Sequence, residues 1–135
     1  MVQFKKIDHI EFVVGDLEKA KKYYAKLGPM VRYTTHHGGS AEFMIGDSLF
    51  EIHQVGAGGR AEENPGMDHL SWLVEGGKKE LQAVRDELVA EGIEVSEVHL
   101  VKATGRYLIN WRDADGYRQQ ANTEPDPDLV VEGEV

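Results

Sequence analysis

The hydrophobic positions of the chain form two similar series, one near the N-terminus and one about sixty residues later. Asp-His-Ile-Glu-Phe-Val-Val at 8–14 begins the first series, and Asp-His-Leu-Ser-Trp-Leu-Val at 68–74 begins the second. Each run has the length of a β-strand and leads towards apolar residues at helical spacing. An internal repeat of this kind predicts two copies of one structural module.

The first copy predicts a helix and four strands. Asp16 is a candidate N-cap for a helix that Gly28-Pro29 ends. After the strand that contains residues 8–14 and this helix, alternating apolar residues between glycine-rich turns predict three more strands, at 31–35, 41–45 and 49–55. The first module is therefore expected to be βαβββ.

The second copy repeats this order. Leu81, Val84 and Leu88 mark the buried face of a helix that Gly92 ends. Three strands should follow, at 93–100, 106–111 and 117–122. The turn Asp113-Ala114-Asp115-Gly116 suits a hairpin with glycine in the left-handed conformation.

The expected fold is α+β, with two tandem βαβββ modules whose curved mixed sheets enclose a shared cavity, since one module alone would bury too little apolar surface. The predicted boundaries are a first module at 1–56, a linker at 57–66, a second module at 67–122 and an acidic tail at 123–135. The tail contains five acidic residues, two prolines and no basic residue, a composition typical of a flexible segment.

Composition excludes several classes of function. The net charge of -9 and the absence of a run of basic residues argue against nucleic acid or an anionic membrane as partner. No apolar run has the length of a membrane span and no targeting segment is apparent, so a cytoplasmic location is expected. Without cysteine, any metal ion must be held by nitrogen and oxygen ligands.

Two histidines occupy equivalent positions of the repeat. His9 and His69 each lie near the start of a strand, and a pair of neutral imidazoles suits a borderline divalent metal ion. Strand alternation adds Glu51 and Gln120, on the last strand of each module, to complete a four-point site. An alternative without metal is also open, in which the preceding aspartate orients each buried histidine.

Other polar and aromatic residues are assigned by the same alternation. Glu11 and His53 share a strand face with proposed ligands, and each is either a candidate general base or a solvated rim residue. The pair His36-His37 is expected at a surface turn, and His99 has no assigned role. Trp72 and Trp111 are interpreted as core residues.

The two Asp-His strand starts, the strand Leu49-Phe50-Glu51-Ile52 and the hairpin at 112–117 resemble the vicinal oxygen chelate superfamily. This superfamily includes glyoxalase I, methylmalonyl-CoA epimerase, extradiol dioxygenases and the fosfomycin and bleomycin resistance proteins. The resemblance covers about Lys6 to Asn122. It implies His9, Glu51 and His69 as ligands of one divalent ion per site, such as Zn, Ni, Co, Mn or Fe.

The resemblance also implies a function. The first expectation is a homodimeric, glyoxalase-type lyase or isomerase acting on a small oxygenated substrate, with Glu51 or Glu11 moving the proton. Gln120 stands where the family commonly has a glutamate, and an amide can coordinate a cation but cannot accept a proton near pH 7. The alternatives are a ferrous extradiol-type dioxygenase and a non-catalytic ligand-binding protein of the drug-resistance type.

Overall fold

The computed structural model of the protein describes residues 1–35, 39–56 and 64–134. In these residues the elements follow the order βαβββ twice, which confirms the predicted α+β class and its two modules. The first set is β1 Lys6–Val14, α1 Leu17–Tyr24, β2 Met30–Thr34, β3 Ser40–Ile45 and β4 Ser48–Gln54. The second set is β5 Gly66–Leu73, α2 Lys78–Ala90, β6 His99–Val101, β7 Arg106–Arg112 and β8 Arg118–Asn122. His36, His37 and most of the predicted linker lie outside the described residues.

The chain divides into two compact units that differ from the two sequence repeats. The first unit contains His9–Leu70, and the second unit contains Met1–Asp8 together with Ser71–Val135. The division falls inside β1 and β5, so that each of these strands contributes residues to both units. As a result, the two histidines of the repeat, His9 and His69, both belong to the first unit.

In the first unit, β1 pairs with β4 in parallel, and β3 pairs with β4 and β2 in antiparallel fashion. The predicted N-cap is confirmed, because the Asp16 carboxylate accepts a hydrogen bond from the Lys19 backbone N–H at 3.1 Å. One face of this sheet is apolar and packs with α1. The buried residues of this contact are Leu17 of α1 and Ala41, Phe43 and Ile52 of the sheet. Strand alternation therefore leaves the opposite face for polar side chains.

In the second unit the strands follow the order β5–β8–β7–β6, and this unit has its own core. The predicted helical face is confirmed, since Leu81, Val84 and Leu88 of α2 are buried there with Ile109 and Ala121. Gly92 follows this helix with a φ of +84°, a left-handed conformation that glycine adopts without strain. The polar hairpin is also as predicted, because Gly116 has a φ of +87° and its N–H donates to the Asp113 carbonyl.

One predicted strand is wrong over most of its length. Of residues 93–100 only His99 and Leu100 are in a strand, the short β6. The residues before it are held differently, because the Arg85 side chain of α2 donates hydrogen bonds to the carbonyls of Val95 and Ser96. These carbonyls are satisfied by a side chain, so this stretch forms no strand ladder.

The acidic tail makes several contacts in the second unit. Thr123 is buried, a 3-10 helix spans Pro127–Leu129, and the Val131 N–H donates to the carbonyl of Lys102 at 2.9 Å. Its flexibility in solution stays a prediction. Neither described helix is long and apolar enough to cross a membrane.

Candidate metal centre

Strand register places the candidate site residues on the polar face of the first unit. The parallel pairing of β1 with β4 sets Glu11 opposite Glu51 and Val13 opposite His53. His9 lies two residues before Glu11 on the same strand, so its side chain projects to the same side. The expectation that Glu11 and His53 share a face with proposed ligands therefore agrees with the register.

Three of the four predicted ligands converge in the first unit. Nε2 of His9 lies 3.0 Å from Nε2 of His69 and 3.6 Å from Oε2 of Glu51. Atoms that are each about 2.0–2.2 Å from one divalent ion are separated by roughly 3–3.5 Å, so these spacings fit a shared cation. Both histidines are buried, and all three ligand atoms lie within 4.8 Å of one another. The donor set therefore suits a divalent ion.

A carboxylate orients one of the two histidines. Nδ1 of His69 lies 2.6 Å from Oδ2 of Asp68, so the ring donates its Nδ1–H there and leaves the Nε2 lone pair facing His9. A carboxylate behind a histidine in this way is common for metal ligands, because it sets the tautomer and raises the basicity of the ring. The other aspartate of the repeat, Asp8, forms a bidentate ion pair with Arg106 in the second unit, at 2.6 and 3.1 Å.

Glu11 and His53 form a second layer beside these ligands. Oε2 of Glu11 lies 3.1 Å from Nδ1 of His53 and 3.6 Å from Nδ1 of His69. The Glu11 side chain is 17% exposed, so it is not a solvated rim residue. A carboxylate held by an imidazole next to an oriented ligand is suitably placed to move a proton.

The two neighbouring carboxyl groups differ in proton affinity. Burial, the adjacent Glu11 charge and the nearby Glu42 all raise the pKa of Glu51 well above its ordinary value. Burial also acts to raise the pKa of Glu11, but hydrogen bonds with His53 and Glu51 and the charges of His69 and His53 outweigh it, so this pKa is lowered. Of the two carboxyl groups, Glu51 therefore holds a proton more tightly than Glu11 does.

Sequence reasoning missed two residues on this face. Glu42 of β3 pairs with Glu51, and Arg32 of β2 pairs with Glu42. Glu11, Glu51 and Glu42 thus form a line of carboxyl groups across three strands, here called the acidic row. The signal was present in the sequence, because the two-residue turn Gly46-Asp47 sets Ile45 opposite Ser48 and hence Glu42 opposite Glu51.

Gln120, the fourth predicted ligand, belongs to the second unit. Its amide oxygen accepts a hydrogen bond from the Ser71 hydroxyl at 3.1 Å, and its amide nitrogen donates to Oδ1 of Asn110 at 3.3 Å. The Ser71 hydroxyl also contacts Oδ1 of Asn122. These four residues, Ser71, Asn110, Gln120 and Asn122, are here called the amide cluster. Metal ligation by Gln120 stays a prediction.

The remaining candidates lie in the second unit. Trp72 and Trp111 both stack on Phe4, with ring centroids 5.6 and 6.3 Å away. Phe4 and Trp111 also pack against the buried core of this unit, as expected for core residues. His99 is exposed, and its Nδ1 lies 3.5 Å from the backbone carbonyl of Glu97.

Comparison with known families identifies the chain's relatives. Residues 6–120 match the model of the Glyoxalase/Bleomycin resistance protein/Dioxygenase superfamily. The chain belongs to this superfamily. The match confirms the resemblance drawn from the paired Asp-His strand starts. A search of characterised protein sequences found no match.

Solved structures of two kinds of enzyme have a similar fold. Methylmalonyl-CoA epimerase from Mycobacterium tuberculosis matches with a TM-score of 0.75 and 19% identity, over 93% of this chain and 91% of that one. A Streptomyces coelicolor epimerase variant bound to 2-nitronate-propionyl-CoA matches with a TM-score of 0.72 and 15% identity, over 93% of this chain and 100% of that one. A halotolerant catechol dioxygenase matches with a TM-score of 0.69 and 12% identity, over 99% of this chain and 43% of that one. At these identities the likeness concerns the fold alone.

Proposed function

We propose that the chain is a metal-dependent enzyme of the glyoxalase type, a lyase or isomerase that acts on a small substrate through two vicinal oxygens. The observation that carries the proposal is the convergence of His9, His69 and Glu51 at hydrogen-bond-like distances in a buried cluster. Membership of the superfamily and the fold shared with epimerases support this reaction class.

The residues of this cluster have distinct roles in the proposed reaction. A divalent ion held by two neutral histidines and one carboxylate would supply Lewis-acid stabilisation of negative charge on the substrate oxygens, at a formal site charge of about +1. Asp68 keeps the His69 ring in the required tautomer. The burial of both histidines places them in surroundings of low dielectric constant, which strengthens their interactions with charge.

Glu11 is the proposed general base. It is held by His53 at 3.1 Å and lies beside the candidate ligand His69. Its basicity depends on Glu51, because ionisation of Glu51 removes a hydrogen bond to Glu11 and adds a like charge next to it. Both changes act to raise the pKa of Glu11, whereas the positive charge of a bound divalent ion would act to lower it. In either case Glu11 is an ionised carboxylate that can accept a proton. Gln120 has no such capacity.

Metal analysis of protein purified without chelators tests the proposal. We expect about one divalent ion per chain, because the described cluster offers three nitrogen and oxygen ligands. Protein that holds no metal and does not take up zinc, nickel, cobalt, manganese or iron, but binds an apolar or aromatic compound tightly, would instead be a non-catalytic binding protein.

A ferrous dioxygenase is the second candidate function. Two histidines and one carboxylate are also the ligand set of non-haem iron oxygenases, which leave positions open for substrate and oxygen. The fold shared with a catechol dioxygenase supports this alternative. Oxygen consumption with catechol-type substrates after anaerobic iron loading would favour it over proton-transfer chemistry.

A homodimer is also proposed, as for other superfamily members of this length. The edge strand β2 exposes Met30, Val31 and Tyr33, an apolar strip that a second subunit could cover. Light scattering at micromolar concentration should give twice the mass of the chain, and a monomer mass would contradict the proposal.

A further inference from the structure

Arg32 lies on the polar face that carries the candidate metal ligands. Its position pairs with Glu42, and Glu42 in turn pairs with the ligand Glu51. Adjacent strands are separated by about 4.8 Å, so the Cα atoms of Arg32 and Glu51 are roughly 10 Å apart. A small molecule bound by the metal ligands would come within reach of the Arg32 side chain.

The contact that Arg32 makes within the protein is weak. Its Nη1 lies 3.4 Å from Oε1 of Glu42, at the outer limit of a hydrogen bond. Among the described residues this is its one recorded polar contact, and its side chain is 34% exposed. Arginine has five N–H donors in a planar fork, so four of these donors make no hydrogen bond to the described residues.

Arg106 provides an internal comparison for a structural arginine. It forms two hydrogen bonds to Asp8, at 2.6 and 3.1 Å, and its side chain is 12% exposed. If Arg32 served only to neutralise Glu42, a similar bidentate pair would be expected, because the fork matches a carboxylate in this way. The long single contact instead leaves the guanidinium free to bind another group.

We propose that Arg32 binds an anionic group, a carboxylate or a phosphate, of the substrate. The inference rests on the proposed function, in which the vicinal oxygens of that substrate occupy the candidate metal centre. It narrows the substrate class to acids whose anionic group is separated from the chelating oxygens by a short chain. Arg32 is then the residue that selects such acids over uncharged analogues of the same shape.

Two hydroxamic acids test the inference on cobalt(II)-loaded protein. Propionohydroxamic acid offers two vicinal oxygens and no anionic group besides the chelating one, and succinic monohydroxamic acid adds a carboxylate at the end of the same chain. Binding of each is followed by the change in the visible absorption of cobalt. We expect the wild-type protein to bind the carboxylate-bearing acid about 10-fold more tightly, the scale of one charge-assisted contact.

Three variants separate the role of Arg32 from a general charge effect. Arg32→Gln should abolish or reverse the preference and leave propionohydroxamic acid bound within about twofold of wild type, which also reports an intact fold. Arg32→Lys should keep part of the preference, because it retains the charge without the fork. Lys22→Gln removes one positive charge from an exposed position on α1 and should leave the preference unchanged.

The possible outcomes distinguish this inference from the proposed function. Equal binding of the two acids by wild type, or a preference that survives Arg32→Gln, would overturn the role of Arg32 and leave the metal centre in place. Failure of wild type to bind cobalt, or to bind either hydroxamic acid once loaded, would overturn the proposed function and the inference that rests on it.

Discussion

The acidic row of the first unit resembles the amide cluster of the second unit in its pattern of contacts. The two groups differ because members of the acidic row can gain or lose a proton and members of the amide cluster cannot. In the first unit, Glu11 contacts His53 across neighbouring strands. In the second unit, Ser71, at the equivalent position of the repeat, contacts Asn122. A titratable pair in one copy is thus a neutral pair in the other.

The same difference recurs at the centre of each group. Glu51 pairs with Glu42 in the first unit, and Gln120 pairs with Asn110 in the second. A carboxyl and an amide have nearly the same shape, so the repeat keeps its packing while its charge changes. The titratable residues that the proposed proton transfer and cation binding require are thus in the first unit, whereas the amide cluster keeps the same hydrogen-bonding groups at any moderate pH.

The strongest test of the comparison removes the paired histidines. The double variant His9→Ala, His69→Ala should abolish stoichiometric metal binding, because only the Glu51 carboxylate remains of the three candidate ligands. Metal content by mass spectrometry measures this, and His99→Ala, which alters an exposed histidine, should retain full content. Stoichiometric metal in the double variant would reject the site.

The next largest effect is expected at the proposed base. Glu11→Gln should lower turnover of an enolisable substrate by about 10²-fold or more and leave metal content intact, since a positioned base is lost and the ligands remain. The matched change in the second unit, Ser71→Ala, should leave turnover within a few-fold of wild type. Unchanged turnover in Glu11→Gln would move the role of base to His53 or Glu51, whereas loss of metal with activity would make Glu11 part of the metal site.

Proton release on metal binding is expected from the raised pKa of Glu51. The ion must displace the proton that Glu51 holds, so affinity should fall by about tenfold per pH unit as the pH is lowered below that pKa. Calorimetry in buffers of different ionisation enthalpy counts the protons, and Glu51→Gln should remove this contribution.

The raised pKa of Glu51 also makes the stability of the metal-free protein depend on pH, in the opposite direction from the metal affinity. A pKa raised by folding stabilises the folded state below the unfolded value of about 4.3, and this contribution is lost as the pH rises through the folded pKa. Glu11, whose pKa is lowered, contributes above its unfolded value and loses that contribution as the pH falls. Thermal unfolding of the wild type and of Glu51→Gln, measured from about pH 4.3 upwards, tests this. The loss of stability with rising pH should be smaller in Glu51→Gln, because that variant has no carboxyl group at this position.

The smallest effect is expected at Gln120. Gln120→Glu should strengthen metal binding by several-fold if this position is the fourth ligand, because a carboxylate binds divalent ions more strongly than an amide does. The fold should accept the change, since Asn110 can turn its amide to donate to the new carboxylate. Unchanged affinity would assign Gln120 to the amide cluster alone.

The internal repeat and strand alternation determined much of this protein from sequence. They predicted two βαβββ modules, the N-cap Asp16, the glycine that follows α2, and the set of His9, Glu51 and His69 that the structure brings together. These features depend on spacing within single segments, and spacing decides which face of a strand or helix a residue occupies.

Tertiary structure decided which residues on a face become neighbours. The pairing of β2 and β3 with β4 places Glu42 and Arg32 beside Glu51, and the boundary inside β5 places His69 in the first unit. The opposite pKa shifts of Glu11 and Glu51 also arise only there. They depend on burial and on charges brought together by strand pairing over long sequence separations, which periodicity along the chain does not encode.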